Sequence, residues 1–240
     1  MRYFMADEKN YQCHHCLAVM EKQGKTSCSS APGTIKAPAV CPGKEEQLVQ
    51  DCFERYTDET EEGRLARVAA RVEGMCYQNN ADDTSVHPRW TRVEDTIALA
   101  KLMDYHTVGI ATCLGLIQET GQLAEILEAQ GFEVVSVCCK AGGVDKMGLG
   151  IDEQDKVRPG HFEAACNPIA QAEFLNRSQT DMNIIVGLCV GHDMLFNKHS
   201  AAPVTTLVVK DRVTGHNPVS VLYGQNFYYK RLKLQPLKID

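Results

Sequence analysis

Residues 183–196, NIIVGLCVGHDMLF, begin as an apolar, β-branched run of the kind buried in a parallel sheet. The run breaks off at Cys189, and Gly191, His192 and Asp193 follow at once. The same order, a strand ending on a thiol, recurs in VGIATCLGL around Cys113 and in EVVSVCCKAGG around Cys138 and Cys139. Between and beyond these runs the pattern alternates strand and helix. A strand at 107–112 leads to a helix at 115–130, and a strand at 133–138 leads to a long Gly-containing loop at 140–165. A helix opens at NPIAQAEFLN, with Pro168 placed for its first turn. The strand at 183–188, a short helix from His192, a strand at 204–209 and a last helix near 218–223 complete the series. This alternation predicts an α/β fold: a parallel sheet of about four strands flanked by helices in a Rossmann-like three-layer arrangement.

Ahead of the sheet the organisation changes. Residues 1–43 lack periodicity and are rich in Cys, Gly, Pro and Ser, so they are expected to form a cysteine-rich metal-binding segment. Residues 44–104 form a helical region, with helices expected at 44–56 and 61–78 and a third in RVEDTIALAKLM. The second of these puts Leu65, Val68, Ala69 and Val72 on one face. A polar joint, NNADDTSVHP, separates the second helix from the third. The α/β domain is expected over 105–240.

The chain has 240 residues and a net charge of −6, which gives no basic footprint for nucleic acid or an anionic membrane surface. The first twenty residues hold no apolar stretch of signal-peptide length, and no uncharged apolar run reaches membrane-spanning length. A cytoplasmic protein is therefore expected. In that compartment its 11 cysteines should be reduced, which favours metal ligation or redox chemistry over a disulfide framework. Cys52 and Cys76 lie within helical patterns and are expected to be buried as small hydrophobes.

In open α/β sheets the loops at the carboxyl ends of the strands line the ligand crevice. Cys113, the Cys138–Cys139 pair and Cys189 should therefore share one edge. Cys166 opens the helix leading back to the third strand, and the long crossover can bring it there too. Thiolates gathered at one edge repel one another unless a metal neutralises them. Sulfur-rich sites suit zinc or iron–sulfur clusters. Ligands arriving singly from separate strand ends suit an object larger than a zinc ion, so a 4Fe–4S cluster is expected. A second site is expected at Cys13, Cys16, Cys28 and Cys41, spaced C-x2-C-x11-C-x12-C, holding zinc or a second iron–sulfur cluster.

Polar residues should surround the core site: Lys140 and Lys146 around AGGVDK, His192 and Asp193 after Cys189, and Lys210, Asp211 and Arg212 after the fourth strand. Lysine and arginine there could bind an anion or offset the charge of a cluster. Asp211 beside Arg212 could fix its guanidinium. His192, His199 and His216 are candidates for proton transfer.

The stretches TRVEDTIALAKLMDYHTVGIATCLGL, GFEVVSVCCKAGGVDK, CNPIAQAEFLN, GLCVGHDMLF and APVTTLVVKDRVTGHNPVSVLY resemble domain-of-unknown-function family 1847. That family is described as uncharacterised metal-binding protein. The resemblance is close from about residue 90 to 230 and loose over the amino-terminal segment. It implies Cys113, Cys139, Cys166 and Cys189 as the core cysteines, with Cys138 as an extra. It also implies an amino-terminal cysteine cluster, here with longer spacing. It brings no established reaction. Three functions compete: a redox or Lewis-acid enzyme acting on a small anionic molecule, an electron-transfer protein serving a redox partner protein, and a zinc protein for storage, sensing or regulation.

Overall fold

A computed structural model describes residues 11–31, 34–57, 59–79, 86–237 and 239. The chain divides into two compact units, residues 1–67 and 68–240. The first holds α1 (Leu17–Gln23), α2 (Glu46–Glu54) and the start of α3 (Glu61–Met75). Helix α1 stops at Gly24, whose φ of 74° lets its N–H reach back to Met20 O at 2.7 Å. Cys13–Cys16 form a tight turn directly before α1, Cys28 lies in a turn over Ser27–Ser29, and Cys41 precedes a turn over Pro42–Lys44. A bond from Gln12 N to Val40 O, 3.2 Å, draws the first of these turns beside the segment leading to Cys41.

The second unit continues with β1 (Tyr77–Asn79), β2 (Val86–Pro88), α4 (Arg92–Leu102), β3 (Thr107–Thr112), α5 (Ile117–Ala129), β4 (Glu133–Cys138), α6 (Pro168–Arg177), β5 (Met182–Val186), α7 (His192–His199), β6 (Val204–Val208), α8 (Val219–Tyr223) and α9 (Arg231–Leu234). Most of the polar joint expected at 79–88, residues 80–85, lies outside the described residues. Its flanks are not helical as expected for 77–78: β1 and β2 pair antiparallel, Tyr77 opposite Pro88. Arg89 ends the helix early, donating from Nε to Met75 O (2.9 Å) and from its backbone N–H to Cys76 O (2.8 Å). Helix α4 starts where a capping box would start it. Thr91 Oγ1 accepts from Glu94 N, and Glu94 Oε2 accepts from Thr91 N at 2.7 Å.

The sheet is four-stranded and parallel, in the order β4–β3–β5–β6. The chain steps outward from β3 to β4, then crosses back to β5 and on to β6. The reversal falls between β3 and β5, which is the switch point of such a sheet. Register sets the ends level: Thr112 lies opposite Cys138 on one side and Val186 on the other. The next residue after each strand, Cys113, Cys139 and Gly187, therefore leaves the sheet at one edge.

Alternation along the strands builds an apolar cluster on each side. Val108, Ile110, Ile184 and Val186 pack with Ala100 of α4 and with Leu123 and Leu127 of α5. Ala111 and Ile185 pack with Ala172 and Leu175 of α6 and Phe196 of α7. Ile110 and Ile184 are fully buried, each worth about 1.5–3 kcal/mol by removal from water. One polar residue is threaded through the second cluster. Asn183 is fully buried, accepting from Thr180 Oγ1 and donating to Ser200 Oγ, both at 2.8 Å. Its neighbour across the ladder must be glycine, because a Cβ on Gly109 would lie 1.9 Å from Asn183 Oδ1.

Strand β5 ends at Val186, two residues before the expected limit. Gly187 turns the chain with φ +68°, and a Cβ there would meet Leu116 Cδ1 at 2.0 Å. Among the described residues no helix is long and apolar enough to cross a membrane.

Candidate metal centre

The ladder runs one residue past the strands before the thiols depart. Cys113 N donates to Val186 O (3.1 Å) and Cys139 N to Thr112 O (2.8 Å). The chain after Cys113 tightens into a turn, with Leu116 N on Cys113 O at 2.8 Å. That turn aims backbone donors at sulfur: Leu114 N–H reaches Cys139 Sγ (3.4 Å), and Gly115 N–H bonds the Cys113 thiol. The long loop 140–165 folds back on itself through Lys146 N to Glu163 O (2.8 Å) and Ala165 N to Val144 O (2.7 Å). Asn167 N then bonds Cys139 O at 2.7 Å, which sets Cys166 beside Cys139 with their sulfurs hydrogen-bonded at 3.7 Å. Cys189 follows the Gly187 turn, and the first turn of α7 closes on it, with His192 N and Asp193 N both donating to Cys189 O. Arg212 Nη2 donates to Cys189 Sγ at 3.2 Å.

Cys113, Cys139, Cys166 and Cys189 thus meet at the carboxyl edge of the sheet, at the switch point. Cys139 is bonded to both Cys113 and Cys166, and the charge of Cys189 is felt at Cys166. Among the described residues no group of three or more His, Cys, Asp or Glu is spaced so that it could hold one metal ion.

The thiols hold one another's protons. The bond to Cys139, with burial, pushes Cys113 up to about 12. The bond from Cys113 pulls Cys139 down, but its bond to Cys166 and its burial outweigh that and leave it at about 11. Cys166 is the acidic member at about 7: the bond to Cys139 lowers it against burial, and the charge of Lys140 helps. Arg212 is held above its ordinary value by its bond to Cys189 and the electrostatic attraction between the two groups. Lys210 also favours the Cys113 thiolate, and its Nζ lies over Gly115, 3.4 Å from where a Cβ would stand.

The other expected site residues divide. Lys140 is at the edge, its ammonium donating to Ala164 O. His192 starts α7 beside Cys189, and the Asp193 carboxylate accepts from Met194 N at 2.8 Å. Asp211 does not clamp Arg212 as expected. Its carboxylate accepts from Val213 N (2.9 Å) and Thr214 N (3.1 Å), and bonds with Thr214 hold it below the usual carboxylate range. It shapes the turn that carries Arg212. His216 Nδ1 accepts from Asp211 N (3.1 Å) in the same turn, whereas His199 lies at the far end of α7. Lys146 pairs with Glu163 at 3.0 Å, part of the loop's own bracing. Cys138 packs partly buried against the second apolar cluster. The burial expected of two further cysteines does not hold. Cys52 is exposed, because no residue of α2 is buried, and Cys76 is half-buried with its thiol on Glu73 O at 3.0 Å.

One residue at the edge went unmarked in the sequence reading. Gln171 of α6 is fully buried, and its Nε2 donates to Thr112 O (3.1 Å) and Val137 O (2.7 Å), tying together the strand ends that carry Cys113 and Cys139. Its signal was available, since Gln171 stands in the buried stripe of α6 with Pro168, Ala172 and Leu175.

In the first unit, Cys16 feels all three of its companions. Partial burial pushes its thiol up, and the charges of Cys41, Cys28 and Cys13 add to that. Cys41 is buried, while Cys13 and Cys28 are exposed.

Residues 41–207 match the family model described as protein of unknown function (DUF1847). The chain is also similar to an uncharacterised protein, MJ0455, of Methanocaldococcus jannaschii, being 45% identical over 185 residues that cover 77% of this chain and 88% of that protein. The chain belongs to the DUF1847 family. The matched range takes in the four core cysteines and Cys41, whereas Cys13, Cys16, Cys28 and Arg212 fall outside it.

Proposed function

We propose that this chain is an iron–sulfur protein whose 4Fe–4S cluster is held by Cys113, Cys139, Cys166 and Cys189, and that it works as a redox or Lewis-acid enzyme on a small anionic molecule. One observation carries the reading: four thiols from three strand ends and one helix start arrive at the same edge, at the switch point of the sheet. The donor set fits the group. All four donors are sulfur, backbone N–H groups from Leu114 and Gly115 already point at two of them, and Arg212, Lys140 and Lys210 bring the positive charge that an anionic cluster needs. The cluster would supply one-electron transfer or an electrophilic iron. The chain's own residues would do the rest. Lys140 would hold the anion, Arg212 on Cys189 would offset the charge of the cluster, and His192, beside Cys189, would exchange a proton with the anion. The same reading takes the domain as Rossmann-like and three-layered, because α4 and α5 pack on one side of the strands and α6 and α7 on the other.

One distance favours zinc as a second reading. A tetrahedral zinc shell with Zn–S near 2.3 Å spaces its sulfurs about 3.8 Å apart, and Cys139 and Cys166 stand 3.7 Å apart. At the amino-terminal site, Cys13, Cys16, Cys28 and Cys41 would hold zinc or a second cluster. The support is the mutual charge effect of these thiols and their place in short turns with little core of their own.

Anaerobic purification followed by a visible spectrum and by iron, sulfide and zinc analysis tests the core site. The expected protein is brown, and dithionite bleaches it. A colourless protein with stoichiometric zinc that is lost on substituting the four core cysteines would overturn the cluster.

A further inference from the structure

Beside the thiol row lies a cavity of about 500 Å³. Its wall includes Leu114, Lys140, Val157, Arg158 and Phe162. Two of these tie it to the cysteines directly. Leu114 gives its N–H to Cys139 Sγ, and the Lys140 charge is felt at Cys166. Three are apolar and uncovered by the protein: Leu114, Val157 and Phe162 are 51%, 81% and 67% exposed. The acid in the wall, Glu163, is already spent. It pairs with Lys146 at 3.0 Å and accepts from Val157 N at 2.8 Å, and these bonds hold it ionised. Among the described residues no hydrogen bond or ion pair engages the Arg158 guanidinium, and Lys140 keeps two of its three protons after serving Ala164 O. The cavity therefore offers two cations and an apolar wall on one side of the thiols. Its volume lies within the range of small-molecule pockets.

We infer that this cavity binds a small organic carboxylate with an aromatic or branched body, seating the carboxylate on Lys140 and Arg158 and the body against Leu114, Val157 and Phe162. The inference rests on reading the thiol edge as a reactive metal centre, because it names the anion on which that centre acts. An inorganic anion would leave the apolar wall unused, and a neutral apolar molecule would leave both cations unpaired. A carboxylate with an apolar body uses both.

Fluorobenzoate is the probe, followed by fluorine NMR on the full-length, anaerobically purified protein. Fluorobenzyl alcohol and inorganic phosphate are the controls. Saturable line broadening is expected with fluorobenzoate, and phosphate should displace it poorly. Binding should weaken about tenfold for the alcohol, and by a similar factor in Arg158→Ala, the scale of one charge-assisted hydrogen bond. Phe162→Ala should weaken it severalfold through lost apolar contact, whereas Arg177→Ala, on the outer part of α6, should change nothing. If either alanine variant unfolds, Arg158→Lys and Phe162→Leu decide in its place. Absence of saturation, an alcohol that binds equally well, or variants indistinguishable from the parent would overturn the inference. Metal content read on the same samples separates the two proposals. Protein without core metal that still binds fluorobenzoate in this pattern defeats the metal centre and leaves the cavity assignment standing. Metal-loaded protein that fails to bind defeats the cavity assignment alone.

Discussion

Replacing Gly187 by alanine tests how tightly the sheet end and the thiol edge are coupled. Gly187 has φ +68°, a conformation costing an L-residue about 1–2 kcal/mol. The added Cβ would stand 2.0 Å from Leu116 Cδ1, and Leu116 is only 3% exposed, so it has nowhere to retreat. Overpacking of that kind costs about 1–3 kcal/mol. The loss of chain entropy in the unfolded state returns about 0.4–1 kcal/mol. The sum is a destabilisation of about 2–4 kcal/mol. Gly191 is the internal control: its φ of +85° with ψ −35° also disfavours an L-residue, but nothing lies within 4 Å of its Cβ position, so Gly191→Ala lacks the overpacking cost of about 1–3 kcal/mol. Urea unfolding under reducing conditions, with equal m-values, measures both. There is a second consequence. Leu116 N bonds Cys113 O, and Gly187 leads into Cys189, so the same displacement should loosen two of the proposed ligands and lower any metal retained by Gly187→Ala. Equal unfolding midpoints for the two variants would refute the steric reasoning, whatever the metal content.

Three further outcomes are expected. On the proposed cluster, Arg212→Ala should leave the chain coloured but lower the midpoint potential, because removing a cation 3.2 Å from Cys189 Sγ disfavours the more negative reduced state; an unchanged or higher potential in a redox titration contradicts this. In the metal-free protein Cys166 should alkylate ahead of Cys113 and Cys139, with a rate rising through about pH 7, and Lys140→Ala should move that midpoint upward; peptide mapping after iodoacetamide pulses reads both. Bonds from the Thr91 backbone and hydroxyl hold Glu94 below its ordinary value of 4.5, so its stabilisation is complete above that value and disappears as pH falls through the lower folded value. Glu94→Gln should accordingly flatten the acid limb of the stability curve, and a limb of unchanged slope in urea unfolding at stepped pH would count against the capping box.

The sheet was legible because its strands are short apolar runs with clear limits. Strands β3 and β4 run over 107–112 and 133–138 as the sequence suggests. The errors fell where one residue overrode a pattern. Gly187 ended β5 early, since a positive φ leaves the extended region whatever the hydrophobicity of Leu188. Arg89 cut the helix at Met75 by taking its carbonyl, a contact spanning 14 positions that periodicity cannot register. The edge rule, which needs only strand order and direction, put Cys113, the Cys138–Cys139 pair and Cys189 at one edge; Cys166 entered through the length of the crossover, and the choice of Cys139 over Cys138 came from the family resemblance. The fate of Asp211 was not, because a carboxylate beside an arginine reads as an ion pair until the turn's own N–H groups are seen to claim it. Arg158 and Phe162 were invisible for a similar reason: they lie in a loop whose return path is set by the bridge between Asp145 and Ala164.

The thiol row carries a tension of its own. Cys113 near 12 and Cys139 near 11 keep their protons at neutral pH, and Cys166 near 7 is acidic through its bond with Cys139 and the charge of Lys140. Three thiols packed this closely can share one negative charge among them but cannot carry three. A structural core would relieve that by exchanging two of them for alanine or valine, residues already used at Ala111 and Val137 just before the edge. Instead the surroundings lean the other way. Backbone N–H groups from Leu114 and Gly115 point at sulfur, Arg212 bonds Cys189, and the charges of Lys140 and Lys210 are felt at Cys166 and Cys113. Each of these favours thiolate over thiol, and together they still fall short of ionising Cys113 and Cys139. A bound cation, as proposed above, would supply the charge needed for Cys113 and Cys139 to give up their protons as ligands.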